Sequence, residues 1–401
     1  MPRGSAPGAV RSLAEWAAGP EPTQDDLALA RSALLDTLAV TLAGGAHPLA
    51  PVFDELSPAG RWAARAHVLD FDDLHMPSTT HISAVCVPAA LAAGGGARAY
   101  LAGAGVMARL GTALGWRHYR AGWHATCTAG APAAAVAAAV ALGLDAERIG
   151  VAMALAVPAA GGVQRAFGTS AKALQVGFAA EAGLRAARLA QAGATADPSA
   201  LEDWLALVGG DPAAVSLDGP AIPDGLAVKL YPCCYALQRP MSAVAKLPET
   251  DPEQIDQVIV RTPEGALQPL IHHAPRTGLE GKFSLEYGIA AAILDHPPGL
   301  GSFGDEAVSR PAARRLMERV TVAAQPGGDG LLDGEVEIEI RRSGGEPLRT
   351  SLALPPGAPG RPATEDELAV KLETCAGEAA QELRGLDWDG APAYLTRALS
   401  G

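Results

Sequence analysis

Two apolar runs, residues 131–144 and 149–162, do most to limit what this chain can become: each is 14 residues long, and Asp145, Glu147 and Arg148 stand between them. A bilayer-spanning helix needs about 20 apolar residues, so both runs predict buried helices of a soluble protein. Ala and Gly dominate the apolar share, and the 401 residues are 49% hydrophobic but only 4% aromatic. Small side chains at helix contacts let the axes approach closely. The expectation is therefore a closely packed helical core. A chain of this length exceeds one ordinary core, so two structural units are expected.

Charge and cysteine content narrow the partners. The net charge of −13 and pI near 5.2 argue against nucleic acid and anionic membranes. An anionic substrate must then be met by a few local cations. The N-terminal stretch lacks the apolar centre of a signal peptide. The five cysteines Cys86, Cys127, Cys233, Cys234 and Cys375 are odd in number and contain no CxxC, which points to a reducing, cytoplasmic setting.

Thr23 and Asp26 form a weak capping box, after which Leu27, Ala30, Leu34, Leu38 and Thr41 mark one face of a long helix that Gly44-Gly45 stops. Residues 85–104 read as helix interrupted at Gly94-Gly95-Gly96, and 105–119 carry a further helical segment. A new helix starts near Ser170. From about residue 222 the texture changes to alternation at Gln257–Thr262, Arg319–Val322 and most clearly Glu335–Arg341, where Val336, Ile338 and Ile340 share a face. Gly344-Gly345 turns that strand into Leu348–Leu354 as a hairpin. Residues 355–360 are a Pro/Gly linker, and Thr364 with Glu367 caps a return to helix. The fold class expected is mainly α: a large all-helical domain (1–221, resumed at 358–401) with an inserted smaller α+β domain (222–357).

The chemically densest stretch puts Asp70, Asp72, Asp73, His75 and His81 into a dozen positions, with Met76–Thr80 as a loop and an apolar helix entered from Ile82. At the mouth of an apolar core, burial and neighbouring charge can move titrating groups toward neutrality. The same residues could be a solvated helix end with ordinary hydrogen bonds. His75 and His81 with the nearby carboxylates offer N and O ligands to a metal, but no His pair has the i, i+4 spacing of a zincin and no Cys pair is of zinc type, so none is expected. Further along, His124 sits at a helix approach in Gly122-Trp123-His124-Ala125-Thr126. Lys172 falls in the first turn of its helix, where a cation opposes the macrodipole unless an anion lies nearby; the alternative is a lysine reaching solvent. Lys229 lies where the two units meet, a common place for a ligand cleft. Ser284 is a plausible N-cap with Tyr287 on the first turn. His272-His273 and Cys233-Cys234 read as structural.

Taken together, these blocks resemble the MmgE/PrpD family, which includes 2-methylcitrate dehydratases, cis-aconitate decarboxylases and iminodisuccinate epimerases. The matching segments are Leu35–Gly44, Asp70–His81 with Pro88–Ala92, Gly122–Thr126, the Lys172 segment, Lys229–Cys234 and Lys282–Tyr287, in family order over nearly the whole chain. The resemblance implies an all-helical domain carrying an inserted lid, a homodimer, and an active site between the two. It points to Asp70, His81, His124, Lys172, Lys229 and Tyr287. Leu74, Gln175 and Gln238 depart from the family pattern. The implied activity is that of a cofactor-independent lyase, dehydrating or decarboxylating a small di- or tricarboxylic acid by proton transfer at carbon next to a carboxylate. In that scheme His124 moves the proton, His81 and Asp70 orient, Lys172 and Lys229 clamp carboxylates, and Tyr287 donates from the lid. An isomerase or epimerase, and a lapsed carboxylate-binding protein, are the alternatives.

Overall fold

The computed structural model describes residues 8–19 and 21–399; the first seven residues of the N-terminal stretch lie outside them. Helix Ala9–Ala18 (α1) is followed by Gln24–Gly45 (α2). The expected capping box starts α2: the Asp26 N–H donates to the Thr23 hydroxyl at 3.2 Å and the Asp26 carboxylate accepts the Thr23 N–H at 3.1 Å. Then come Pro58–Val68 (α3), Ile82–Ala92 (α4), Ala97–Arg120 (α5), Ala125–Ala141 (α6), Ala146–Ala156 (α7) and Ser170–Gln191 (α8). The glycine triplet at 94–96 separates α4 from α5, as its lack of side chains suggested.

The first apolar run lies in α6, where every residue from Ala125 to Ala139 is buried. It packs among α5, α4 and α8. Close approach is what the small residues provide: a Cβ on Gly183 of α8 would collide with Ala134, and one on Gly103 of α5 with Ala137. The second run is α-helical only to Ala156, because Pro158 and Gly161-Gly162 release it into a short 3₁₀ turn and a loop. Among the described residues, α2 alone is long and apolar enough to cross a membrane by length and composition. Half of that window is buried here, and Asp36 on its inner side pairs with Lys371 at 2.6 Å.

The chain changes texture after residue 222 as its alternation suggested. Tyr235–Val244 (α9) leads to strand Ile255–Pro263 (β1), then Leu285–Asp295 (α10), Pro311–Arg319 (α11), and strands Val320–Gln325 (β2), Val336–Arg342 (β3) and Gly345–Leu352 (β4). The sheet order is β2-β1-β3-β4. β2 runs parallel to β1, which requires the long crossover that α10 and α11 supply. β3 is antiparallel to β1, with Val258 opposite Ile340 and Val260 opposite Ile338. β3 and β4 form the expected hairpin. Val258, Val260, Ile338 and Ile340 all point into one core with α9, α10 and α11.

Helix Glu365–Ala376 (α12) opens on the Thr364/Glu367 capping box. Its Leu372 and Cys375, with Leu383, Tyr394 and Leu395 beyond it, pack into the helical core rather than the sheet core. The molecule is thus mainly helical, with two apolar cores. A third, small cluster of Leu74, Tyr119, Ala125, Ala227, Tyr235 and Leu331 draws residues from both parts of the chain. All five cysteines are buried free thiols.

Candidate active site

The site grows from the loop that leaves α3. Asp70 has a left-handed backbone (φ 53°), a conformation that Asp tolerates better than most side chains. Three lysines hold that bend by donating to three consecutive carbonyls: Lys282 to Leu69 at 2.8 Å, Lys229 to Asp70 at 2.8 Å and Lys371 to Phe71 at 2.9 Å. The Asp70 carboxylate then lies between two ammoniums, contacting Lys229 on one oxygen and Lys172 at 3.0 Å on the other. Burial pushes this carboxyl up, but Lys172 and Lys229 outweigh it and hold it well below the usual carboxylate range. Burial likewise disfavours the charged Lys229, and Asp70 reverses the effect, so its amine is raised. Lys282 has carbonyls as its hydrogen-bond partners, from Leu69 and from Pro232 at 2.7 Å. Burial brings it down to about 8.

Against this charge cluster sit three imidazoles. His81 and His124 occupy the same local position, each the residue just before a helix, with nearly equal backbone angles (φ −90°, ψ 87° and φ −87°, ψ 89°). His67, at the last turn of α3, accepts from the Lys172 ammonium through Nε2 at 2.6 Å and donates through Nδ1 to Asp72 at 2.7 Å. Its ring meets His81 edge-on at 4.6 Å and His124 in a stack at 5.8 Å. His81 Nδ1 lies 3.1 Å from the same Asp72 oxygen, too poorly aligned for a straight hydrogen bond. Burial drives all three imidazoles toward the neutral form: His81 to about 3, His67 below its ordinary value, and His124 well below it, where Lys172 adds to the burial. His124 Nδ1 is 3.0 Å from the Gln175 side-chain oxygen. Its Nε2 is buried and has no hydrogen-bond partner among the described residues.

Asp70, His81, His124 and Lys172 share the walls of one hollow with Thr79, Tyr119, Phe167, Cys234, Tyr235, Phe283 and Leu331. Lys229 stands behind Asp70, fully buried. Five of the six residues singled out in the sequence are thus brought together. Tyr287 is not. Its hydroxyl donates to the Ser302 carbonyl, and its ring packs edge-on against Phe303 at 5.7 Å inside the sheet core. In this arrangement it is a core tyrosine, its phenol pushed up by burial to about 12, and it does not line the hollow, where the resemblance had a hydrogen-bond donor.

The hollow measures about 20 Å³, room for roughly one water. Leu331, on a loop between β2 and β3, lines both it and, with Leu74, Thr79 and Tyr235, an outer cleft of about 390 Å³ that Met76, Pro77, Trp116 and residues 329–333 also line.

His67 is a central residue that the sequence pattern does not single out, and Asp72 and Lys282, though part of its motifs, carry no role there. The signal that could find His67 is its place three residues before Asp70, in the last turn of the helix that leads into the acid loop. The departures from the family pattern also have structural accounts. Gln238 accepts from the Leu230 and Tyr231 N–H groups at 3.0 and 3.1 Å, which fixes the chain just after Lys229. Leu74 pairs its backbone with Ala227 and turns its side chain to the hollow. His272 holds the Phe167 carbonyl at 2.8 Å, and His273 meets Glu286 on the surface at 2.9 Å.

One triangle has the donor set of a metal site: atoms of His67, Asp72 and His81 lie within 4.8 Å of one another. The tautomer argues against it. Lys172 donates to His67 Nε2, so a neutral His67 carries its proton on Nδ1, the nitrogen that faces Asp72. Lys172 and Lys229 reinforce that disfavour by placing positive charge beside the triangle.

Comparison with known proteins gives two family matches: the MmgE/PrpD N-terminal domain over residues 56–207 and the MmgE/PrpD C-terminal domain over residues 231–385. A cis-aconitate decarboxylase of Aspergillus terreus (strain NIH 2624 / FGSC A1156) is 25% identical over 361 residues, which span 79% of this chain and 73% of that protein. The cis-aconitate decarboxylase-like protein oryM of Aspergillus oryzae (strain ATCC 42149 / RIB 40) is 25% identical over 433 residues, covering 91% and 89%.

Proposed function

The chain belongs to the MmgE/PrpD family, and from that premise we propose that it is a cofactor-independent lyase acting on a small di- or tricarboxylic acid. The observation that carries the reading is His124: a buried, neutral imidazole whose Nε2 has no partner, beside an ammonium that also contacts Asp70. A hydrogen on carbon next to a carboxylate is a weak acid. Removing it calls for a neutral base and for positive charge where the electrons accumulate.

In the proposed reaction His124 Nε2 takes that proton, and the electron pair of the broken C–H bond moves into the adjacent carboxylate. Lys172 stabilises the resulting enediolate, Lys229 adds its charge from behind Asp70, and Asp70 holds both amines in place. In dehydration the pair returns to form the double bond as the hydroxyl on the next carbon leaves; that hydroxyl takes the proton now on His124 and departs as water, which restores the neutral base. His67 stacks on the base and His81 meets His67 edge-on, so that uncharged rings line one side of it. Tyr287 has no part in this scheme.

Decarboxylation is the second reading, favoured by the printed names of the relatives. There the C–CO₂ bond breaks, its electrons pass into the conjugated acid, and an imidazolium that has taken a proton from solvent gives it to carbon. A His124 that rests neutral suits proton removal better as a first step, which ranks dehydration ahead. Either substrate is larger than the present hollow, so Leu331 and its neighbours must yield toward the outer cleft on binding. The reading also carries the homodimer implied by family resemblance, which the mass in solution would check.

The test is incubation with a panel of citrate-like, aconitate-like and succinate-like acids followed by mass analysis. Loss of 18 or 44 mass units from one acid, about the mass of water or carbon dioxide, is the expected result, the bond broken being next to the carbon that loses or gains the proton. Thermal stabilisation by these acids without any turnover would instead make the protein a carboxylate binder.

A further inference from the structure

We propose that Gln175 is a positioning residue that decides which nitrogen of His124 carries the proton, so that Nε2 meets the substrate as a bare lone pair. The geometry is over-determined. The Val163 backbone N–H points at the outer atom of the Gln175 amide at 3.3 Å. A backbone N–H can only donate, so that atom is the amide oxygen. His124 Nδ1 lies 3.0 Å from the same oxygen, and two acceptors would repel, so Nδ1 is the donor. A neutral imidazole has one proton. Nε2 is therefore the acceptor.

Cys127 offers the competing contact, its Sγ 3.2 Å from His124 Nδ1. A thiol donating there would force the opposite tautomer, but it would leave a nitrogen lone pair facing the Gln175 oxygen, which Val163 holds in place. The backbone keeps the three partners in register. His124 N–H donates to the Gly162 carbonyl at 2.9 Å and Gln164 N–H to the Gly122 carbonyl at 2.8 Å, so the chain before His124 and the chain around Val163 form one short ladder. A Cβ on Gly162 would come within 2.9 Å of the Gln175 oxygen, so this glycine keeps the space clear. The other groups facing His124 are Lys172 from α8, His67 from α3, His81 before α4 and Phe167. None of these supplies Nδ1 with a hydrogen-bond acceptor.

The catalytic consequence rests on the proposed role of His124, whereas the tautomer itself does not. Both can be read from full-length protein labelled with ¹⁵N-histidine, the His124 signals being those lost in His124→Asn. In the wild type, Nε2 is expected at the shift of an unprotonated nitrogen and Nδ1 at that of an N–H. Gln175→Glu keeps the acceptor and adds charge beside Nδ1–H. It should raise the His124 titration by about one pH unit or more and carry the acid limb of kcat/KM upward with it. Gln175→Leu removes the acceptor. It should let the Nε2–H form appear and lower kcat by about tenfold or more, with KM nearly unchanged. A wild-type His124 protonated on Nε2, or a Gln175→Glu variant whose His124 titrates as in the wild type, would overturn the assignment. If no acid in the panel turns over, the lyase reading falls, while the labelled histidine still reports for or against Gln175. If Gln175→Leu does not fold, the wild type and the isosteric Glu variant decide.

Discussion

Asp72 and Asp73 are adjacent, equally buried and chemically identical, yet the two faces of their loop treat them in opposite ways. On the front face, burial would push Asp72 up, but His67 and His81 hold it well below the usual carboxylate range. On the back, Asp73 meets Ser83 and lies near Asp36, and burial carries it up to about 7. Ser83 passes the hydrogen-bond chain on to the Tyr100 hydroxyl at 2.8 Å. Burial sets the demand for compensation, and the partners decide whether charge survives it. A charged front suits anion chemistry. The back serves as support.

The largest break in this contrast comes from Asp70→Asn, which leaves Lys172 and Lys229 without their shared counter-ion. Removing one partner of a buried ion pair costs about 3–5 kcal/mol, readable by urea denaturation at neutral pH. Asp73→Asn should cost far less; equal costs would erase the distinction between the faces. Next in size, His124→Ala should lower kcat/KM at least ~100-fold with little change in melting temperature. Loss of stability without loss of chemistry would move the base elsewhere.

The pH dependence sharpens the contrast further. Asp73 keeps its proton in the fold up to about 7 and loses it near 3.8 when unfolded, so the unfolded chain gains by ionising across that window. Its contribution to stability is complete below the lower value and is lost as pH rises through the upper one. Wild type should therefore lose ground to Asp73→Asn between those two values and run parallel to it above them. Asp70, with a depressed carboxyl, behaves in reverse: its stabilisation is present above 3.8 and fades only in more acidic solution. The smallest expected effect is that of a chelator. EDTA should leave activity unchanged; loss of activity restored by a divalent ion would return the His67, Asp72 and His81 triangle to consideration.

What could be read from the sequence was local. Both capping boxes, the Ser284 cap, the β3–β4 hairpin and the helices opened by His81 and His124 depend on residues within a few positions of one another. The acid loop announced itself by density. The contacts that complete it did not, because Lys172 reaches His67 across 105 residues and Lys229 reaches Asp70 across 159. Nothing in a stretch of chain states which distant amine will meet which carbonyl. Tyr287 shows the same limit from the other side: its helix was legible, but the direction of its ring depends on Ser302 and Phe303, which no periodicity links to it.

The three lysines that pin Leu69, Asp70 and Phe71 lie far downstream, Lys282 by 213 residues from its carbonyl and Lys371 by 300. A ribosome adding about 5–20 residues per second would make the bend roughly 15–60 s before it makes the last anchor. The nascent chain can form its helices in that interval, but these carbonyls must be served by water. The completed bend thus waits on the synthesis of Lys371, and a transcript truncated before it would yield a largely helical product without that anchor.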